Sequence, residues 1–294
     1  MMDIDNNTPV CIALKEYAQV SPKLFQKLLL TYGNPSNIFQ MTPEDISSMV
    51  GIKLEQAQKI IGCYKSLDKA IEMIDYLESL DISVISYFHE EYPELFRVIA
   101  EPPLVIYVKG DQQLLQDGGI AIVGTTSADQ SRLRMAADFA KEFSKHGKTI
   151  ISGLANGIDS AAHLGCLKNQ GKTIAVLGCG HLNIYPEENI PLINLILESG
   201  TIISEHDIYA DAIPGRLISR NRLISALADA VIVVQIGEEK RGELYTARAA
   251  IEQGKPLFLL DPDNKSDNET LLENSAIKIK GLEQIDEILE YVIR

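Results

Sequence analysis

From residue 83 onward, short and nearly continuous apolar runs alternate with amphipathic stretches, and this alternation limits the fold more than any other feature. The runs lie at 120–123, 149–151, 173–177, 201–203, 230–234 and 256–260, with two earlier ones at 84–87 and at 102–108 behind Pro102-Pro103. The helical stretches lie between them, at 131–146, 158–169, 189–198, 220–228 and 243–252. In the first of these Met135, Phe139 and Phe143 recur at helical spacing. Strands that are apolar on both sides belong to a parallel sheet covered on both faces. The expected class is α/β, a Rossmann-like, doubly wound, mostly parallel sheet. The polar, acidic run 261–269 reads as a loop.

The preceding stretch has a different period. Ser21-Pro22 is a helix-start signal, and Leu24, Leu28, Leu29 and Leu30 supply an apolar stripe. Thr42-Pro43-Glu44-Asp45 opens a second helix with a capping residue and acids in its first turn. Gly51-Ile52 makes a turn before helices at 54–64 and 67–80. The expectation is a small all-α, helix-hairpin-helix-like domain over 1–82, followed by the Rossmann-like core over 83–294. Such a bundle either holds a nucleic-acid backbone through its turn amides or serves as a plain packing module.

Charge and composition exclude several classes. The 294 residues carry 27 basic and 41 acidic side chains, a net charge of −14. That balance argues against generic, whole-surface nucleic-acid binding but leaves a local basic site open. No run approaches the roughly 18 apolar residues of a membrane span. Residues 1–9 carry acids where a secretory signal has a basic region. Cys11, Cys63, Cys166 and Cys179 form no Cys-x-x-Cys pair. The expected location is the cytoplasm.

In an open parallel sheet, ligands bind outside the carboxyl ends of the strands. Here Gly124, Ser152-Gly153 and Gly178-Cys179-Gly180 mark three such ends. Gly153-Leu154-Ala155-Asn156-Gly157-Ile158-Asp159 runs from a strand end into a helix start, where free amides and the helix dipole favour an anion. Tight strand–helix turns also need glycine without any ligand. The spacing is not Gly-x-Gly-x-x-Gly, so the usual dinucleotide fingerprint is absent. Arg216, Arg220 and Arg222 cluster in an otherwise acidic chain. If the helix starts at Arg220, its positive charge opposes the dipole and implies an anion beside it. Ser152, Asp159 and His163 sketch a triad, but no Gly-x-Ser-x-Gly elbow accompanies them. No catalytic residue and no metal site is assigned.

Several motifs come in order: Tyr92-Pro93-Glu94-Leu95, Ile122-Val123-Gly124-Thr125, Ser152-Gly153-Leu154-Ala155-Asn156-Gly157-Ile158-Asp159, Leu177-Gly178-Cys179-Gly180, Tyr185-Pro186-Glu187-Glu188-Asn189, Ser204-Glu205, Arg220-Asn221-Arg222 and Thr246-Ala247-Arg248. Together, over about residues 86–260, they resemble the DprA/Smf family of DNA-processing proteins. The resemblance implies a Rossmann-like core that binds single-stranded DNA without sequence preference. It also implies a homodimer that protects incoming DNA and loads the recombinase RecA during natural transformation, with no reaction and no cofactor. Carried over by position, the DNA or phosphate site comprises Gly124, Thr125, Thr126, Ser152, Gly153, Asn156, Gly157, Gly178, Gly180, Arg220, Asn221, Arg222 and Arg241.

The departures from the family pattern lower the local positive charge. Thr126 stands where the family usually has Arg, and Asn156 where it has Arg or Lys. Arg241-Gly242-Glu243-Leu244 replaces a Ser-Gly-Ser-Leu segment, and Leu217-Ile218 replaces Phe-Pro. Weaker DNA binding than in a typical member is the expectation. Tyr185 and Tyr245 are candidates for stacking on bases, Tyr185 being equally able to pack on Pro186. Two other readings stay open. One is a sensor that binds a nucleotide in the same pocket. The other is a nucleoside-phosphate hydrolase, for which the Pro-Gly-Gly-x-Gly-Thr loop is missing and only Glu243 and Thr246 give an echo.

Overall fold

The computed structural model describes residues 7–238, 241–260 and 266–292. It divides into two compact units, Met1–Val108 and Lys109–Arg294.

The first unit is a helical bundle with a short hairpin. Helix α1 (Thr8–Ile12) runs into a wider turn, Ala13–Tyr17, and is followed by α2 (Pro22–Tyr32), α3 (Pro43–Val50), α4 (Leu54–Gly62) and α5 (Leu67–Glu78). Ser21 caps α2 by accepting from the Leu24 amide, and Thr42 and Asp45 form a reciprocal capping box on α3. Gly51 ends α3 in the left-handed region at φ 70°, and the Ser47 hydroxyl donates to the Ile52 carbonyl at 2.7 Å. Ile46, Val50, Ala57 and Ile60 turn inward from the α3–α4 hairpin. Strand β1 (Ser83–Ser86) pairs antiparallel with β2 (Val105–Gly110), Ile85 opposite Ile106, and α6 (Glu94–Arg97) lies between them in sequence. Compactness therefore groups residues 83–108 with the helices.

The second unit is a parallel sheet. Its elements in order are β3 (Ile120–Gly124), α7 (Gln130–Lys145), β4 (Ile150–Ser152), α8 (Ile158–Lys168), β5 (Thr173–Leu177), α9 (Ile190–Leu197), β6 (Thr201–Ser204), α10 (Pro214–Leu227), β7 (Ala230–Gln235), α11 (Gly242–Glu252), β8 (Leu257–Leu260), α12 (Ser266–Glu273), β9 (Ile277–Ile279) and α13 (Ile285–Glu290). The strand order is β6-β5-β4-β3-β7-β8-β9. Every pairing among these seven strands is parallel. Ile120, Ile122, Ile150, Ile232 and Phe258 face α7, α8 and α13, burying Phe139 and Phe143. Helices α10 and α11 pack on the opposite face. Helices on both faces of a parallel sheet make the doubly wound, Rossmann-like arrangement. The chain leaves β3 in one direction and returns on its other side as β7, so the topological switch point lies between these two strands.

Two expectations need correction. Helix α10 begins at Pro214, not at Arg220, because Ile213-Pro214 supplies the N-terminal proline signal. Arg220 and Arg222 thus sit in its second and third turns, and the conflict with the dipole disappears. Of the run read as a loop, residues 261–265 lie outside the described residues, while Ser266–Glu273 is helical. Among the described residues no helix is long and apolar enough to cross a membrane.

Candidate functional site

Loops after β3, β4 and β7 meet at the carboxyl edge of the sheet. The Thr125 amide donates to the Gln235 carbonyl at 3.0 Å, and the Thr125 carbonyl accepts from the Ile158 amide at 3.3 Å. A register shift between Val123 and Gly124 sets Gly124 opposite Gln235. The Ser152 hydroxyl donates to the Ile122 carbonyl at 2.6 Å, tying β4 to β3. Asp159, in the first turn of α8, accepts from the Gly153 amide at 3.1 Å and the Ala155 amide at 3.4 Å. Asn189 donates to the Leu154 carbonyl at 2.8 Å from the far side. Gly157 holds φ 83°, and a Cβ there would stand 2.5 Å from the Thr125 carbonyl oxygen. Thr126 and Asn156 are left exposed at the top of this fixed loop.

Arg220 lies beneath the loop and is 5% exposed. Its guanidinium donates to the Gly153 carbonyl at 2.6 Å, to the Val176 carbonyl, and to Asn221 Oδ1 at 3.1 Å. Asn221 passes the network on by donating to the Gly242 carbonyl at 3.0 Å. A Cβ at Gly153 would meet the Arg220 guanidinium at 2.6 Å, and one at Gly178 would meet Leu217 at 2.8 Å. At Gly180 it would collide with the backbone of residues 207–208. These glycines are needed by the protein's own close approaches.

Burial sets the protonation of this assembly. Burial pushes Asp159 up to about 6, with Arg220 and the two loop amides pulling the other way. His163 is fully buried. Its Nδ1 lies 2.7 Å from the Thr173 hydroxyl, which itself donates to the Ile150 carbonyl at 2.7 Å. Nδ1 therefore carries the proton, and burial together with Arg220 lowers the imidazole to about 3. Ser152 bonds the Ile122 carbonyl and the Asp159 carboxyl, but His163 bonds Thr173 and neither of them, so no triad is assembled. Glu243, in the first turn of α11, is buried and accepts from the Gly237 amide. Its carboxyl is raised by burial, and the Asp159 charge adds to this.

The remaining cations differ in what they face. Arg222 forms a bidentate pair with Glu205, at 2.6 and 2.7 Å, and also donates to the Ser219 carbonyl. The pair ties α10 to the end of β6. Arg216 donates to the Asp211 carbonyl at 2.7 Å. Arg241 is exposed just before α11, and its Nε donates to the Glu238 carbonyl at 3.2 Å.

Of the residues expected from sequence, Gly124, Thr125, Ser152, Gly153, Gly157, Arg220 and Asn221 thus lie in one bonded network. Thr126 and Asn156 top it, and Arg241 flanks it. Gly178 and Gly180 belong to the next loop, packed on α10 and residues 207–208, and Arg222 faces Glu205. Sequence reading missed Glu205 as the partner of Arg222, although Ser204-Glu205 ends the strand beside it. It also missed Gln235, whose buried Oε1 makes no hydrogen bond at the β3–β7 switch point. The edge presents the exposed Thr126 and Asn156 side chains above a buried cation, with Arg241 alongside.

The profile of the family described as DNA recombination-mediator protein A matches residues 83–292. The DNA processing protein DprA of Bacillus subtilis is 38% identical over 187 residues, 62% of this chain and 63% of that protein. Protein Smf of Synechocystis is 32% identical over 253 residues, 85% of this chain and 63% of that protein. The chain therefore spans less than two thirds of the length of these relatives. DNA processing protein A of Helicobacter pylori, whose structure was described for its unique single-stranded DNA binding mode, is 33% identical. It covers 71% of this chain and 96% of its own at a TM-score of 0.63. DNA processing protein A of Streptococcus pneumoniae shares the fold at a TM-score of 0.76, with 24% identity over 96% of this chain and 97% of its own.

Proposed function

The chain belongs to the DNA recombination-mediator protein A family, and from that membership we propose that it binds single-stranded DNA along the carboxyl edge of its parallel sheet. In this reading it is a homodimer in the cytoplasm that protects the strand and loads RecA onto it during natural transformation. It carries out no reaction of its own. The observation that carries the reading is the family match over 83–292, which contains the whole carboxyl-edge network, together with the strand-binding relative from Helicobacter pylori. Thr126, Asn156 and Arg241 take the phosphates. Gly124, Thr125, Ser152, Gly153, Gly157, Arg220 and Asn221 hold the loop that presents them. Gly178 and Gly180 shape the neighbouring loop, and Arg222 contributes only when it parts from Glu205.

The test is fluorescence anisotropy with a labelled 20-nucleotide strand, single and then duplex, across a salt series. The reading expects single-strand preference and a shallow salt dependence, since each phosphate neutralised contributes a slope of roughly −0.7. RecA loading is read separately, as the rate at which RecA filaments form on strands coated with single-strand binding protein. Binding to duplex and single strand alike, or no binding at 50 mM salt, refutes the proposal. The buried Asp159 and Glu243 carboxyls favour a second reading, in which a small, weakly charged nucleotide ligand occupies the edge. Calorimetric titration with nucleoside monophosphates separates the two.

A further inference from the structure

We propose that the loops following β5 and β6 form a docking surface for a protein segment with an apolar centre and flanking lysines or arginines. This goes beyond strand binding and confines the strand to the Thr126, Asn156 and Arg241 side of the carboxyl edge. The two loops are fastened to each other: the Gly180 amide donates to the Ala210 carbonyl at 2.8 Å, and the Leu182 amide to the Ile208 carbonyl at 2.9 Å. Asn183 donates to the Asp211 carboxylate at 2.5 Å, and Asp207 accepts from the Tyr209 amide at 2.9 Å. Arg216, in the first turn of α10, closes the arrangement on the Asp211 carbonyl.

On this fastened base the chain displays large apolar side chains to water. Leu182 is 48% exposed, Tyr185 55%, Tyr209 59%, Ile213 48% and Ile218 38%. The loops are held by the backbone bonds between them, so the exposure does not come from a frayed end. Clusters of exposed apolar and aromatic side chains ringed by polar groups are the hallmark of an interaction surface.

Charge selects the occupant. Around the two loops four acids, Glu187, Glu188, Asp207 and Asp211, stand against Arg216, while Glu205 is neutralised by Arg222 and Glu198 ends α9 at the opposite edge of the sheet. Glu187, Glu188 and Asp211 are exposed. His181 is buried, and burial first, then Lys109, lowers it to about 4, so it adds no positive charge at neutral pH. A DNA strand would bring its phosphates against these carboxylates. A second copy docking through the same face would set each acidic rim against its own counterpart. A basic rim on a different protein meets neither obstacle.

The experiment uses the full chain, ¹⁵N-labelled, and two 16-residue helical peptides with the same leucine face, one with lysine and one with glutamate on the other side. The lysine peptide should bind at least tenfold more tightly in 50 mM salt and shift the amides of Leu182, Tyr209 and Ile213. Tyr209→Ser with Ile213→Ser should abolish that binding. Glu187→Lys with Glu188→Lys should reverse the preference between the peptides. Circular dichroism melts confirm that both double variants fold. Equal affinity for the two peptides, no binding of either, or shifts confined to another face overturns the proposal. So does a Tyr209→Ser/Ile213→Ser variant that dissociates a dimer or loses single-strand affinity, since the surface would then serve a second copy or the strand.

Discussion

Arg220→Met tests whether the centre of the edge network is scaffold or ligand. The guanidinium is 5% exposed and donates to two carbonyls and one amide oxygen. Methionine fills much of the volume but leaves the Gly153 and Val176 carbonyls and Asn221 Oδ1 without a donor. A buried acceptor left dry costs about 1–3 kcal/mol. Removing one member of a buried charged set costs about 3–5 kcal/mol. The two figures overlap because they count the same lost donors, and Asp159 limits the damage by taking up a proton. About 3–5 kcal/mol is expected. For a unit of this size each kcal/mol moves the midpoint by about 2–4 °C, so calorimetry of the full chain should show a fall of about 6–20 °C. Strand affinity, measured at a temperature where both proteins are folded, should drop less than that of a variant lacking exposed Arg241. A midpoint lowered by under 2 °C together with a tenfold loss of strand affinity would refute the reasoning, because Arg220 would then face the ligand.

Other perturbations follow from the same contacts. Glu205→Gln removes the bidentate charge from Arg222 and should lower stability by about 1–3 kcal/mol in urea unfolding. If the freed fork takes a phosphate, the salt slope for single strands steepens by roughly 0.7. Gly157→Ala places a methyl group against the Thr125 carbonyl at a positive φ, and should cost about 1–3 kcal/mol in thermal unfolding. The pH profile combines opposing terms. Asp159 is raised in the folded state, so its contribution is full below about pH 4 and is lost as pH rises through about 6. His163 and His181 are depressed to about 3 and 4, so theirs is full above about pH 6.5 and is lost as pH falls toward those values. In the wild type the slopes partly cancel between pH 4 and 6. Asp159→Asn removes one of them, and its midpoint should rise more steeply with pH across that window in a series of buffered melts.

Six of the seven strands of the second unit could be read from the sequence because a strand buried on both faces has almost no polar positions, and glycine marked three of their ends; β9, three residues with an exposed Lys278, gave no such run. Caps were legible for the same local reason: Ser21, Thr42 and their prolines lie within a few residues of the amides they serve. Helix α10 shows where local reading fails. The Pro214 signal was present, but Arg220, six residues later, drew the boundary to itself. What Arg220 does could not be read at all, since its acceptor on Gly153 lies 67 residues away in sequence. A guanidinium looks the same in sequence whether it meets a phosphate or the chain's own carbonyl. Arg222 and Glu205 are only 17 residues apart, yet their pairing needs β6 and α10 side by side. Ser266–Glu273 lacks an apolar stripe clear enough to show its helix among polar neighbours.

The placement of β3 has a consequence for how the chain is made. This strand sits mid-sheet, with β4 on one side and β7 on the other. Synthesis delivers β4 soon after β3, but β7 starts only at Ala230, more than a hundred residues after β3 ends at Gly124. At roughly 5–20 residues per second, the nascent β3 waits about 5–20 s with one row of backbone donors and acceptors unpaired. During that interval the half-built sheet is open on the flank that later becomes its middle. Such an edge pairs readily with any exposed strand. Slower translation of residues 125–229 should therefore raise aggregation of this chain on the ribosome, whereas slowing beyond Gln235 should not.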